Sequence, residues 1–188
     1  VLEVGCGPGK YVALLASLGC NVTGIDPHSF DTWSILENSA NVSLSSKVFA
    51  EELPFPSESF DSLSCLGALL YFVDADKALQ EFHRVLKPRG NLMVRNLNRR
   101  NLYTRVWRKP LDPASSNIYS AEELSLLLER HGFTTLRQFA YGFFPPLFPK
   151  FWWYLTNGIL PLRSQRFLSD LIPSSCRIND IAFLRKAN

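Results

Sequence analysis

Apolar and polar positions follow two rhythms along this chain, and the switches between them outline its elements. Val1 to Val4 is a short, mostly apolar run, the mark of a strand covered on both faces. From Lys10 the apolar positions Val12, Leu14, Leu15 and Leu18 follow a helical spacing, closed by Gly19. Asn21 to Ile25 returns to a strand pattern and ends at Asp26. Mostly apolar strands are also predicted from Lys47 to Ala50, Phe60 to Leu66, Asn91 to Arg95 and Phe133 to Ala140. Two helices lie among them. Asp74 caps one whose apolar positions Ala75, Ala78, Leu79, Phe82, Val85 and Leu86 share a face, with Pro88 and Gly90 ending it. Ser120 and Glu123 form a capping box before Leu124, Leu127 and Leu128, and Gly132 stops that helix. Strands alternating with helices predict one α/β domain with a mainly parallel sheet.

The first strand runs straight into Gly5-Cys6-Gly7-Pro8-Gly9. Glycine adopts positive φ without penalty and has no side chain to hold a ligand away from the backbone. The helix that follows points its free N–H groups and positive dipole end at the turn, an arrangement that captures nucleotide-like ligands. The spacing rejects two familiar fingerprints. G-x-G-x-x-G needs glycine where Lys10 stands, and a P-loop needs glycine at Val4 and a hydroxyl residue at Tyr11. What remains is E-x-G-x-G-x-G; a plain tight turn with no ligand is the bland alternative. Asp26 stands about 20 residues beyond the glycines at a strand tip, where a carboxylate can accept both hydroxyls of a ribose. A helix N-cap before Pro27 is the other reading, and the two are compatible.

The stretch from Glu51 to Val94 contains LPF, SFD at a strand start and E-x-x-RVLKP-x-G, and SAEELSLLLERHGF follows later. With the glycine turn, these motifs resemble the class I S-adenosylmethionine-dependent methyltransferases of the broad type that includes ubiquinone and menaquinone biosynthesis enzymes. The resemblance covers most of residues 1 to 140. It implies a Rossmann-like sheet, mostly parallel with helices on both faces, closed by an antiparallel last strand from Ile178 to Leu184. It implies S-adenosylmethionine as cofactor, with Glu3, Gly5, Cys6, Gly7 and Gly9 along its methionine part. Asp26 and Pro27 would meet the ribose, and Ala50 and Glu51 the adenine. Cys65 and Leu66 would offer backbone carbonyls to the ammonium. No metal is implied. Tyr71, where relatives often carry histidine, and His28 are the candidate catalytic groups; His83 and His131 read as structural. Three departures stand out. Phe49 replaces an acidic adenine contact, leaving Phe49 to stack or Glu51 to substitute. Arg89-Gly90 replaces a glycine pair. The helix that usually precedes the first strand is missing, so this is a fragment or the lid comes from elsewhere.

Composition sets the surroundings. The chain of 188 residues is 46% hydrophobic, enough for one core. Four cysteines without C-x-x-C spacing suggest neither a disulfide framework nor zinc and fit a reducing, cytoplasmic setting; no signal peptide is visible. A net charge of +3 makes no case for nucleic acid. Phe82 to Leu111 lacks acidic residues, while Arg95, Arg99, Arg100, Arg105, Arg108 and Lys109 gather with Tyr103 and Trp107. That cluster is either a solvated loop or a seat for an anionic acceptor or membrane surface. Residues 141–177 form an insert before the last strand, with eight aromatics among Tyr141 to Tyr154. Its prolines exclude a clean spanning helix. It covers the domain's own core, makes a homodimer contact, or binds a lipid-like acceptor or a membrane periphery. The expected function is methyl transfer to a small or lipid-like acceptor at oxygen or carbon. The alternative is a non-catalytic module of the same fold that binds a partner or membrane surface.

Overall fold

The computed structural model describes residues 1–100, 117–141 and 179–187. Seven strands run β1 (Leu2–Val4), β2 (Val22–Asp26), β3 (Val42–Ser46), β4 (Phe60–Leu66), β5 (Leu86–Leu97), β6 (Phe133–Tyr141) and β7 (Asn179–Lys186). The described helices are α1 (Lys10–Ser17), α2 (Trp33–Leu36), α3 (Ala75–Val85) and α4 (Ala121–Arg130), with a 3-10 turn at Leu69–Tyr71. The strands form one sheet in the order β3-β2-β1-β4-β5-β7-β6. β1 to β5 pair in parallel, and β7 is antiparallel to both β5 and β6. The chain reverses its direction of travel across the sheet between β1 and β4. That is where the carboxyl ends of parallel strands leave a crevice.

Alternation along the strands sorts side chains onto two faces. Leu2, Val4, Ile25, Leu63, Cys65, Leu92, Val94, Ala182 and Leu184 meet Leu79, Phe82 and Val85 of α3 and Leu124 and Leu128 of α4 in the larger core. On the other face Cys6, Val12, Val22 and Trp33 form a smaller cluster beneath α1 and α2. Gly24 makes that face possible, because a Cβ there would lie 2.7 Å from Leu44 Cδ2 and 2.9 Å from Val12 Cγ2.

The local signals act as expected where a side chain satisfies a backbone group. Asp74 accepts the Lys77 N–H at 2.9 Å to cap α3. The Ser120–Glu123 capping box closes in both directions on α4.

Several expectations need correction. The third strand lies at Val42–Ser46, ahead of the predicted Lys47 to Ala50. The polar run Ser43-Leu44-Ser45-Ser46 hides it, since an edge strand needs few apolar residues. Lys47, at φ 59, turns the chain into the loop that follows. Helix α3 stops at Val85, before Pro88; β5 then begins at Leu86 and carries the Arg89-Gly90 irregularity within it, with Arg89 at φ 62. The predicted helix α1 forms, and within it Val12 is buried while Leu14 and Leu18 point outward, 54% and 72% exposed. Positions four apart share one stripe, and that stripe faces away from the sheet. The last strand is described from Asn179 to Lys186, two residues beyond the predicted Leu184, and Ile178 lies outside the described residues. The aromatic insert lies outside the described residues but for Tyr141, and Arg105, Arg108, Lys109, Tyr103 and Trp107 lie wholly outside them.

Asp180 and Asn96 face each other across β5 and β7, both buried. Both Asp180 carboxyl oxygens and the Asn96 Oδ1 have no hydrogen-bond partner among the described residues. Burial, helped by Glu122, pushes the Asp180 carboxyl from 3.8 up to about 7. The folded state therefore holds this proton more tightly than the unfolded chain, and the group's stabilising share falls as pH rises from about 4 to about 7. Asp180→Asn removes the buried charge and offers an N–H to Asn96. It is expected to stabilise the protein by about 1–2 kcal/mol near pH 8, with the difference vanishing below about pH 4; thermal unfolding of both proteins across that range measures it.

Candidate active site

The glycine turn connects β1 to α1 at the carboxyl edge of the sheet. Gly5, Gly7 and Gly9 all have positive φ, at 69°, 50° and 84°. Their surroundings differ. A Cβ at Gly5 would lie 2.2 Å from Ala68 Cβ, and one at Gly9 would lie 2.3 Å from Leu36 Cδ1. At Gly7 nothing among the described residues comes within 4 Å of such a Cβ, so among them this residue faces open space. Gly9 is the N-cap of α1 and provides no side-chain cap. The first N–H groups of α1 are thus left for another acceptor.

Asp26 ties the turn to β2. One carboxylate oxygen accepts the Gly7 N–H and the other the His28 N–H, both at 2.9 Å. The N-cap reading is therefore replaced: Asp26 closes a local turn and braces the glycine loop, with α2 beginning only at Trp33. A carboxylate has about four acceptor positions, so about two remain. Pro27 is half-buried beside it and its carbonyl accepts the Lys47 N–H at 3.3 Å. The His28 side chain is 80% exposed, its Nδ1 3.5 Å from Asp26 Oδ1.

Two residues missed in the sequence complete the turn. Trp33 Nε1 donates to the Gly7 carbonyl at 2.8 Å, and the Thr32 hydroxyl donates to the Pro8 carbonyl at 2.8 Å. Their only sequence signal is a lone tryptophan in a polar stretch, since the contact spans 26 residues.

Glu3 and Ser64 are register partners on β1 and β4, both buried, and the Ser64 hydroxyl donates to the Glu3 carboxyl. Burial pushes that carboxyl up to about 8, against the pull of Ser64 and the Arg95 charge. At the end of β4 the Leu66 carbonyl accepts from Arg95 Nη2 at 3.3 Å. Leu66 was expected to serve a ligand ammonium, and a guanidinium holds that position here. Ala50 is buried; Glu51 Oε1 accepts the N–H groups of Val73 and Asp74 at 2.9 and 3.2 Å. Glu51 thus fastens the segment after β4, while Phe49 is 57% exposed. Tyr71 ends the 3-10 turn beyond β4 and is half exposed.

The remaining histidines contact other side chains of the fold. His83 packs edge-on against Phe133, with ring centroids 5.6 Å apart, and His131 Nε2 lies 2.8 Å from Asp76 Oδ1. The basic stretch divides as well: Arg99 pairs with Glu123 and Arg100 with Glu122, so the acidic first turn of α4 takes two of its charges. Two surface depressions of about 410 and 430 Å³ lie at the opposite, amino edge of the sheet, around Arg185 and around Asn21, away from all these groups.

Cys6 and Cys65 are buried thiols. Burial pushes both thiols up to about 12, with Asp26 and Glu3 adding to it at Cys6 and Glu3 at Cys65. Neither is expected to react with iodoacetamide near pH 8 until the protein unfolds; mass spectrometry of native and denatured samples reads this directly.

Comparison with known proteins places the geometry in a family. Residues 2–94 match a family model described as a methyltransferase domain. A ubiquinone biosynthesis O-methyltransferase of Pseudomonas fluorescens is 34% identical over 106 residues, 53% of this chain and 44% of that protein. A sterol 4-C-methyltransferase of Caenorhabditis elegans is 32% identical over 107 residues, 54% of this chain and 32% of that protein. The chain thus spans less than half the length of these relatives. A structure of a Burkholderia thailandensis 1,6-didemethyltoxoflavin-N1-methyltransferase with bound S-adenosylhomocysteine superposes with a TM-score of 0.68 at 17% identity. It covers 100% of this chain and 70% of that one, a likeness of fold. Residues 2–94 thus belong to the methyltransferase domain family that this model describes, on a fold shared with the S-adenosylhomocysteine-bound methyltransferase.

Proposed function

We propose that this protein binds S-adenosylmethionine at the carboxyl edge of β1, β2 and β4 and transfers its methyl group to a small or lipid-like acceptor at oxygen or carbon. The observation that carries the reading is the Gly7–Asp26 bridge. Gly7 leaves open space beside a carboxylate that retains acceptor capacity at the tip of β2.

The residues fit the cofactor. Asp26 offers its remaining acceptor positions to the ribose hydroxyls, with Pro27 and His28 bordering them. Ala50 and the exposed Phe49 flank the adenine, and Glu51 fixes the backbone behind it. Glu3, Gly5, Cys6, Gly7 and Gly9 line the methionine part, and Cys65 and Leu66 close it from β4. When bound, the cofactor supplies a methyl group activated by a positive sulfur, and the protein's share is position and alignment.

Tyr71 and His28 follow different strands, with β1 between β2 and β4. Tyr71 is assigned to orient the acceptor and His28 to the ribose side. A lipophilic acceptor is supported by the relatives named for ubiquinone biosynthesis and a sterol, and by the eight aromatics among Tyr141 to Tyr154.

Calorimetric titration with S-adenosylmethionine and S-adenosylhomocysteine tests the cofactor site. Asp26→Ala is expected to weaken both at least tenfold, about 1.4 kcal/mol, and Asp26→Asn, which keeps one acceptor oxygen, less. A full-length protein that binds neither would end the methyltransferase reading and favour a partner-binding module. Flotation with liposomes checks the surface preference: retention is expected on vesicles containing anionic lipid, and a protein left at the bottom of the gradient argues for a water-soluble acceptor.

A further inference from the structure

Arg95 lies at the crevice and the cofactor reading so far gives it no task. Its Cα pairs with Leu66 across β4 and β5, and by alternation with Val94 its side chain leaves the sheet on the face of α1. The guanidinium presses against Gly67, where an added Cβ would sit 2.5 Å from Nη2. Gly67, at φ 88, thus makes room for this side chain. Nη2 donates to the Leu66 carbonyl at 3.3 Å and Nη1 to the Tyr11 hydroxyl at 3.4 Å. Both bonds are long and both acceptors are neutral.

Arg84, Arg99 and Arg100 each pair with a glutamate, whereas Arg95 makes no ion pair among the described residues. The acid nearest in kind on this face, Glu3, is turned to Ser64 and held largely uncharged at neutral pH by burial. A half-buried planar fork of five N–H donors therefore stands at the crevice with neutral partners only. An arginine fork matches a carboxylate in two parallel hydrogen bonds, better than it matches two separate neutral oxygens.

We propose that Arg95 is a specificity-determining residue that holds the α-carboxylate at the amino-acid end of the cofactor. This inference rests on the proposed cofactor reading. An α-amino acid carries its ammonium and its carboxylate on one carbon, so the two groups arrive together. Arg95 turns from the Leu66 carbonyl to the carboxylate, and that carbonyl becomes available to the ammonium. The guanidinium thus keeps the place of the ammonium until the ligand enters. Tyr11 Oη, on the first turn of α1, steadies Nη1 during the exchange. The resulting preference is for a zwitterionic amino-acid end over a purely cationic one.

The test is calorimetric titration of the full-length protein at neutral pH with S-adenosylmethionine and with decarboxylated S-adenosylmethionine, which keeps the sulfonium and the ammonium. The unaltered protein is expected to bind the carboxylated ligand about tenfold or more tighter. Arg95→Gln is expected to lose that preference, weakening S-adenosylmethionine about tenfold while decarboxylated S-adenosylmethionine changes less than about twofold. Circular dichroism checks that the variant folds; should it not, Arg95→Lys carries the same comparison, with a preference reduced but present. Equal weakening of both ligands, or a preference untouched by either variant, overturns the proposal while leaving the cofactor site standing. Binding of neither ligand by the unaltered protein overturns the cofactor reading, and this inference with it.

Discussion

The hydrogen bond from the Gly7 N–H to the Asp26 carboxylate organises this crevice. A turn with three residues at positive φ has a floppy unfolded counterpart, and ordering it costs backbone entropy. The carboxylate offsets part of that cost by a charge-assisted bond between two strands' ends. With the Gly5 and Cys6 N–H groups both donating to the Ile25 carbonyl, at 2.9 and 3.0 Å, it locks the turn to β2. Trp33 and Thr32 hold the outer carbonyls, so the loop is held from both sides while Gly7 still faces open space.

The two faces of the sheet divide the labour. Beneath α3 and α4 a large apolar core carries the stability, and its polar exceptions are few and local. On the face of α1 the strands place polar and ionisable groups near the crevice. Glu3 and Ser64 sit side by side on β1 and β4, and Arg95 follows on β5. Alternation along adjacent strands brings these three together, because neighbouring strands in register present the same face at matched positions. Stability and ligand chemistry can thus be altered on opposite sides of one layer.

Charge is likewise redistributed by the fold. Six basic residues run close together between Arg95 and Lys109 in the sequence, yet the described ones have different fates. Arg99 and Arg100 are taken by the acidic first turn of α4, where carboxylates also favour the helix dipole. Arg95, four residues before Arg99, points into the crevice instead. A linear cluster of like charges is therefore a poor guide to a continuous basic surface.

By itself the sequence determined what short-range chemistry dictates. The order of strands and helices follows from apolar period, the start of α3 from Asp74, the start of α4 from the Ser120–Glu123 box, and the glycine turn from its spacing. Asp26 was legible because strand length and turn length set its distance from the glycines. The tertiary structure decided whatever depends on partners far apart in the chain. It placed β3 ahead of Lys47, since an edge strand is held by backbone pairing to β2 and shows little apolar pattern. It turned Leu14 and Leu18 outward, turned Glu51 into a backbone brace, and set Arg95 against Leu66 and Tyr11. Side-chain type announces what a residue can bond; only the fold brings a partner from β1, β4 or α1 within 3.5 Å.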